Sequence, residues 1–218
     1  MSGIHLALLG MSFGESTPTV IGQAFGGGFY AGDISTTANS VATHYLVVGP
    51  LSTAQIQLAW KNANTATPGA DSDIDGPQNT ADMVADGNST VYPCAHFCND
   101  AVIGGFSDWY MPAKNELEVC YFNLKPGTAS NNTSSGINPN AVPARASDYT
   151  SGSPAQTSAA AFQTGNAEAF SEIYYWSSTE FSATQARGQG FYNGNQYSLN
   201  KTTFNSSLRV RAVRRVAV

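Results

Sequence analysis

The chain has 218 residues, 42% of them apolar, and a net charge of −5 from 10 basic and 15 acidic side chains. That apolar content builds a proper core and excludes a disordered chain, and the charge gives no general electrostatic reason to bind nucleic acid or an anionic bilayer. Charged residues make up only 11%, far below the roughly 25% of an average globular chain, which is the composition of a β-rich, loop-rich surface protein.

Residues 1–9 are apolar but lack a basic leading segment and are too short for a signal peptide, and no stretch reaches the roughly 18 apolar residues of a membrane span. The expectation is a chain made and folded in cytosol, without membrane insertion. The cysteines Cys94, Cys98 and Cys120 are odd in number, which argues against a disulfide framework and for reduced thiols.

In chain order, residues 10–22 are mixed in character and read as an arm that docks on a larger assembly. Phe25-Gly-Gly-Gly-Phe-Tyr-Ala-Gly and Thr43-His-Tyr-Leu-Val-Val then read as two strands with a flexible connection. Residues 52–89 are polar, with Trp60 as main anchor, and read as a long functional loop. Pro93 can take a first helical position, after which Cys94, Phe97, Cys98 and Ala101 fall on one stripe. Pro112 repeats the device, with Leu117, Cys120, Tyr121 and Leu124 on one face and Lys125-Pro126-Gly127 as the stop. Residues 127–165 are Ser-, Asn-, Pro- and Gly-rich and are expected outside the core. The last fifty residues read as strands: 174–178, 187–192, 195–200 and 208–216. Asn193-Gly194 is a strong hairpin signal, because both positions must tolerate positive φ.

Three segments carry a family likeness. Gly104-Gly-Phe-Ser-Asp-Trp-Tyr-Met-Pro-Ala-Lys-Asn-Glu-Leu, Tyr175-Trp-Ser-Ser-Thr-Glu and Arg209-Val-Arg-Ala-Val-Arg-Arg-Val together resemble the C-type-lectin-like domains at the ends of phage tail fibres and in collagen-like bacterial surface proteins. More loosely they resemble the variable proteins of diversity-generating retroelements, which include phage tropism determinants. The resemblance implies an α+β chain with the C-type-lectin-like fold, a small twisted antiparallel sheet flanked by two helices with long loops. Residues 1–50 would supply N-terminal strands and a docking or oligomerisation arm, and 51–218 the recognition domain, with one continuous domain as the alternative.

Several residues are read as holding that fold. Asp108 precedes a Pro-started helix, where it can accept backbone N–H bonds or pair with an arginine, and Trp109 and Trp176 plug the core. Arg209 and Arg211 share one face of the last strand, so at least one is expected to pair with Asp108 or Glu116, leaving the other two C-terminal arginines solvated. In the relatives the C-terminal strands and their loops form the recognition surface. Carried over, this makes Arg187, Gln189, Tyr192, Asn193, Asn195, Tyr197 and Asn200 the candidate contacts, supplying aromatic area and adaptable amides. The glycines at 188 and 190 leave their strand unusually bare.

Asp71, Asp73 and Asp75, with Gly76 at the turn and Asp82 beyond, resemble the start of a calcium loop, but the flanks are not those of an EF-hand and the closing glutamate is missing. A solvated acidic turn is the competing reading. Cys94, His96, Cys98 and Cys120 look superficially like metal ligands, yet on a helix His96 points away, and thiols buried between two packed helices fit better. No Gly-x-Ser-x-Gly elbow accompanies His5, His44 or His96, and Glu116 and Glu118 face different ways on their helix. Formylglycine-generating enzymes share this general fold but need a late pair of cysteines that this chain lacks. The functional expectation is a non-catalytic virion protein that recognises a bacterial surface molecule, glycan or protein, as a homo-oligomer, a trimer being favoured, attached to other virion proteins. A decoration or baseplate protein is the alternative.

Overall fold

The computed structural model describes residues 16–205 and 208–218. Residues 1–15, which include much of the expected docking arm, lie outside the described residues.

The chain is mixed α and β, with four α-helices and two five-stranded sheets among the described residues. The first sheet is built from β1 (Ala24–Phe25), β2 (Gly28–Ile34) and β3 (His44–Val48), closed by the last strand, β10 (Val213–Ala217), with β5 (Ala141–Val142) paired to β2. The second runs in the order β4 (Gln55–Ile56), β9 (Leu208–Arg211), β6 (Tyr174–Ser182), β7 (Gln185–Gly190) and β8 (Gln196–Asn200). Its β6–β9 pairing is parallel and its other pairings antiparallel.

The stretch expected as one final strand therefore serves both sheets. At Ala212 the chain leaves the second sheet and enters the first, held by Ala212 N–H to Ala54 O (2.8 Å) and Gly49 N–H to Ala212 O (3.0 Å). Strand β3, from the first fifty residues, pairs along its whole length with β10.

Apolar side chains from the sheets, helices and loops gather into two clusters. One contains Trp60, Met83, Tyr92, Trp109, Trp176 and Val210. The other contains Leu46, Leu117, Tyr121, Phe170, Tyr175 and Phe191. Burying such side chains contributes about 1.5–3 kcal/mol each. Indole N–H groups are satisfied inside: Trp60 Nε1 donates to Ser177 O at 2.8 Å and Trp176 Nε1 to Leu58 O at 3.2 Å.

Both expected helices form, as α3 (Pro93–Asn99) and α4 (Lys114–Leu124), following α1 (Leu51–Ala54) and α2 (Gly76–Asp86). Pro112 precedes α4 by two residues rather than opening it, and Glu116 reaches back to accept the Ala113 N–H at 2.8 Å. Helix α2 corrects the expectation of a long loop over residues 52–89. Its low apolar content hid it, but Asp75 caps its N-terminus, Pro77 sits in the first turn, and Asn79, Thr80 and Met83 are buried.

The polar stretch 127–165 is mostly exposed, as expected, but 11 of its 39 residues are buried. Asparagines supply the hydrogen bonds that a packed loop needs. Asn131 Nδ2 donates to Thr150 O (3.1 Å) and Pro154 O (2.9 Å), Asn138 Nδ2 to Asn115 O (2.8 Å), and Asn140 Nδ2 to Ser35 O (2.8 Å). Lys125 Nζ sits among Ala129 O, Asn131 Oδ1 and Pro154 O. Cys94 and Cys98 lie in the first cluster and Cys120 in the second, all as buried free thiols. They are not gathered between one pair of helices, and burial raises the pKa of each.

Candidate recognition surface

The segment ahead of α4 and the end of the chain meet as expected, but through different arginines. Arg214 forms two bonds with Asp108, Nε to Oδ1 at 2.7 Å and Nη2 to Oδ2 at 2.8 Å. Arg215 Nε reaches Glu116 Oε1 at 2.7 Å. The pairing assigned to Arg209 or Arg211 is thus corrected. Ala212 passes the chain from one sheet to the other, so the residues beyond it, 214 and 215, and not 209 and 211, reach Asp108 and Glu116, from opposite faces of β10. Arg211 is buried and binds Glu168 (2.7 Å) and Gly49 O (2.9 Å), while Arg209 forms no ion pair among the described residues. Arg214 and Arg215 are structural rather than solvated. Trp109 and Trp176 are both core residues.

The four aspartates proposed for calcium do not converge. Asp75 caps α2 and lies 3.7 Å from Arg215, Asp73 pairs with Lys114 at 2.8 Å, and Asp82 accepts from Gln78 at 2.9 Å on the helix. Once Asp75 becomes a helix cap, residues beyond it wind away with the helix instead of closing a loop. Among the described residues no group of three or more His, Cys, Asp or Glu side chains could hold a metal ion.

The seven candidate contact residues divide. Asn193-Gly194 lies in the turn between β7 and β8, but that turn spans residues 191–195 with positive φ at Gly194 alone, not the two-residue hairpin expected, and it is packed down on its own chain. Gly194 has φ +75, and a Cβ there would collide with the rings of Tyr121 and Tyr149. Asn132 N–H donates to Asn193 O at 2.7 Å, and Asn193 Oδ1 accepts from Asn195 N–H at 3.0 Å. Gln189 is 1% exposed and spends its amide on Gly194 O at 2.8 Å. It is corrected from contact residue to turn support. Asn200 is exposed, but its Oδ1 accepts from Thr202.

The remaining residues lie on two faces of the second sheet. In the β7–β8 register Arg187 stands opposite Ser198 and Gly188 opposite Tyr197, so Arg187 and Tyr197 point to opposite faces. On the Tyr197 face, Tyr174 and Tyr192 join hydroxyls at 2.9 Å with rings at 81°, and Asn195 Nδ2 donates to Tyr174 at 3.1 Å. This explains the bare strand: a Cβ at Gly190 would meet both tyrosine rings, and one at Gly188 would meet Leu199.

On the other face a groove of about 330 Å³ is lined by Phe181, Gln185, Arg187, Gln196 and Ser198, and Tyr197 borders it because β8 is the edge strand. The Arg187 guanidinium lies 4.0 Å from the Phe181 ring centre, and its Nη1 donates to Ser198 Oγ at 3.1 Å. Phe181 is 51% exposed and Tyr197 57%. Sequence reasoning misses Phe181, Tyr174 and Gln196. The one available signal is an aromatic residue beside the polar turn after Glu180, where no core pattern requires it.

A family model described as the Lcl C-terminal domain matches residues 52–214. No curated protein matches the chain, and no solved structure does. The family match takes in the segments that carry the resemblance read from the sequence, up to Arg214. The chain belongs to the Lcl C-terminal domain family.

Proposed function

We propose that this protein is a non-catalytic receptor-binding component of a phage virion, of the tail-fibre-tip type, with a C-type-lectin-like arrangement that presents the outer strands of its second sheet to a bacterial surface molecule. Family membership and the resemblance to phage and surface-protein recognition domains support this reading. The observation that carries it is the contrast between the two ends of the second sheet. At β9 and the first half of β6 the large apolar side chains Tyr175, Trp176, Leu208 and Val210 are buried in the core. Toward β7 and β8 large side chains are left uncovered: Phe181, Tyr197 and the partly exposed Arg187. Large aromatic residues with few rotatable bonds, beside amides and hydroxyls, make an adaptable binding surface.

Among the described residues no helix is long and apolar enough to cross a membrane. Single contacts of this size are weak, so several copies act together, as a trimer carried on other virion proteins. Antibody fragments against β7–β8 test the reading. They should label intact particles and block adsorption to host cells. Particles that carry the chain yet adsorb normally when those fragments are bound would contradict it.

A second reading, a decoration or baseplate protein, is favoured by one feature. Val102 is 73% exposed at the rim of an apolar groove lined by Pro93, Phe97 and Ile103, on a part of the surface formed by other elements than β7 and β8. Under this reading substitutions there, and not at Tyr197, prevent incorporation into particles.

A further inference from the structure

We infer that the outer edge of β8 is a docking site for an extended polypeptide strand, and that the surface molecule recognised is a protein offering such a strand with an acidic residue between two apolar ones; the inference rests on the recognition reading above. The two edges of the second sheet are unlike. Strand β4 is two residues long, which leaves little to pair with. Strand β8 has five residues in unbroken register with β7 and contains no charged residue and no proline. Lysine, proline, bulges and short length are the usual protections of a sheet edge, and β8 has none of them.

The backbone of that edge is unspent. Gly190 N–H donates to Asn195 O at 2.9 Å and Lys201 N–H to Thr184 O at 3.0 Å, so the odd-numbered residues of β8 face β7 and the even-numbered ones face outward. At the two ends the outward groups are taken: Gln196 N–H donates to Ser135 Oγ at 3.1 Å, and Asn200 O accepts from Thr203 N–H at 3.0 Å. Between them, Ser198 N–H and Asn200 N–H have no partner among the described residues, and Ser198 O has only Gln185 Nε2 at 3.5 Å. An antiparallel strand completes that pattern: one residue exchanges both bonds with Ser198, and the residue two before it accepts from Asn200.

The side chains fix what the strand carries. A residue opposite Ser198 shares its face with Arg187. Arg187 Nη1 donates to Ser198 Oγ at 3.1 Å, and Arg187 forms no ion pair among the described residues. Glu180, the nearest acid in sequence, is committed to Lys201 Nζ and the Thr67 N–H. An aspartate or glutamate opposite Ser198 therefore meets a guanidinium that this chain leaves without an acid. The residues on either side of that acid fall on the other face, against Tyr197, which is 57% exposed, and the partly exposed Leu199, where apolar side chains are favoured. A second copy of this chain fits less well: antiparallel pairing of β8 with itself about Ser198 sets two Arg187 side chains on one face, with no acid in either strand.

The test is fluorescence anisotropy of the labelled peptide Thr-Thr-Val-Glu-Val-Thr-Thr, blocked at both ends, titrated with the full chain at low salt. The peptide should bind, and amide exchange at Ser198 and Asn200 should slow at least tenfold in the complex. Methylating the glutamate nitrogen removes the donor to Ser198 O and should weaken binding at least tenfold, and glutamine in place of the glutamate should weaken it several-fold. Ser198→Pro removes the outward N–H without touching a bond to β7, so it should weaken binding at least tenfold more than Ser198→Ala, which loses the hydroxyl alone. Should Ser198→Pro fail to fold, the methylated peptide carries the comparison. No binding of the peptide, equal binding of its methylated form, or unchanged exchange at both amides would overturn the inference. Equal binding of the glutamine peptide would overturn the acidic residue. Self-association that protects the same amides without peptide would overturn the choice of occupant, as would host-cell binding that survives surface proteolysis but not periodate oxidation of glycans. Host cells also separate the two levels: cells bound by the parent and equally by Ser198→Pro sink this inference and leave recognition standing. Absence of cell binding beside peptide binding that depends on Ser198 sinks recognition and leaves the edge.

Discussion

Arg214 grips Asp108 with two parallel hydrogen bonds of 2.7 and 2.8 Å while its guanidinium lies 3.9 Å from the Phe106 ring centre. This joins the segment before α4 to the last strand and to Gly26 O, which accepts from Nη1 at 3.0 Å. Arg214 is 7% exposed, whereas the Asp108 side chain is 56% exposed, so solvent screens the charge attraction and the packing of the arginine matters more. Arg214→Met should cost about 2 kcal/mol and Asp108→Asn about 1 kcal/mol, read as shifts in the urea midpoint. Equal costs would show that the ion pair, not the packing, dominates.

Glu118 makes the opposite case, since it is fully buried. It receives Arg145, Tyr149 Oη (2.6 Å) and Asn138 Nδ2, and Arg145 stacks 4.1 Å from Phe122. Removing one member of a buried pair leaves the other uncompensated, at about 3–5 kcal/mol. Glu118→Leu should therefore cost that much, and amide exchange should rise first at Tyr149, whose N–H is bonded to Ser135 O at 2.7 Å. Exchange spread evenly over the chain would show that the 127–165 loop is not a separate cooperative unit.

Glycine substitutions check the packed-down turn. Gly194→Ala forces a side chain into the rings of Tyr121 and Tyr149 at positive φ, so a loss of about 2 kcal/mol or more is expected. Gly165 has φ +89 with nothing near a Cβ, so Gly165→Ala should cost only about 1 kcal/mol. Thermal unfolding distinguishes the two, and a harmless Gly194→Ala would place the turn away from the body.

His44 sets a pH dependence. Partial burial, then the positive charge of Arg215, hold its pKa below the ordinary 6.5. Between the folded value and 6.5 the unfolded chain binds more protons, so this group's contribution is fully present above 6.5 and is lost as pH falls through the folded value. The proton NMR titration of His44 should have its midpoint below 6.5, and His44→Gln should flatten stability in that window. A midpoint at or above 6.5 would contradict the assignment.

How much of this is legible in the sequence differs by element. Helices α3 and α4 and the strands near the C-terminus follow from local signals: Pro93 at the start of α3, the apolar spacing of Leu117, Cys120, Tyr121 and Leu124, and Asn193-Gly194 as a turn. Helix α2 is not legible, because its buried face uses the polar residues Asn79 and Thr80, which bond nearby Ser72 and Gly76 and also reach Ser178 and Met111, distant in sequence. The arginine pairings escape for the same reason: nothing local announces that Ala212 passes the chain from one sheet to the other. For the candidate surface, Arg187 and Tyr197 are readable as polar and aromatic strand residues. That they occupy opposite faces, and that Phe181 joins Arg187, depends on register.

The most direct measurement is saturation binding of labelled protein to host cells, comparing the parent with the variant carrying both Phe181→Ser and Tyr197→Ser. Both side chains belong to residues more than half exposed, so the variant should unfold at the same urea midpoint, yet cell binding should fall at least tenfold. Binding retained in a folded double variant would contradict the claim that the outer strands of the second sheet recognise the host.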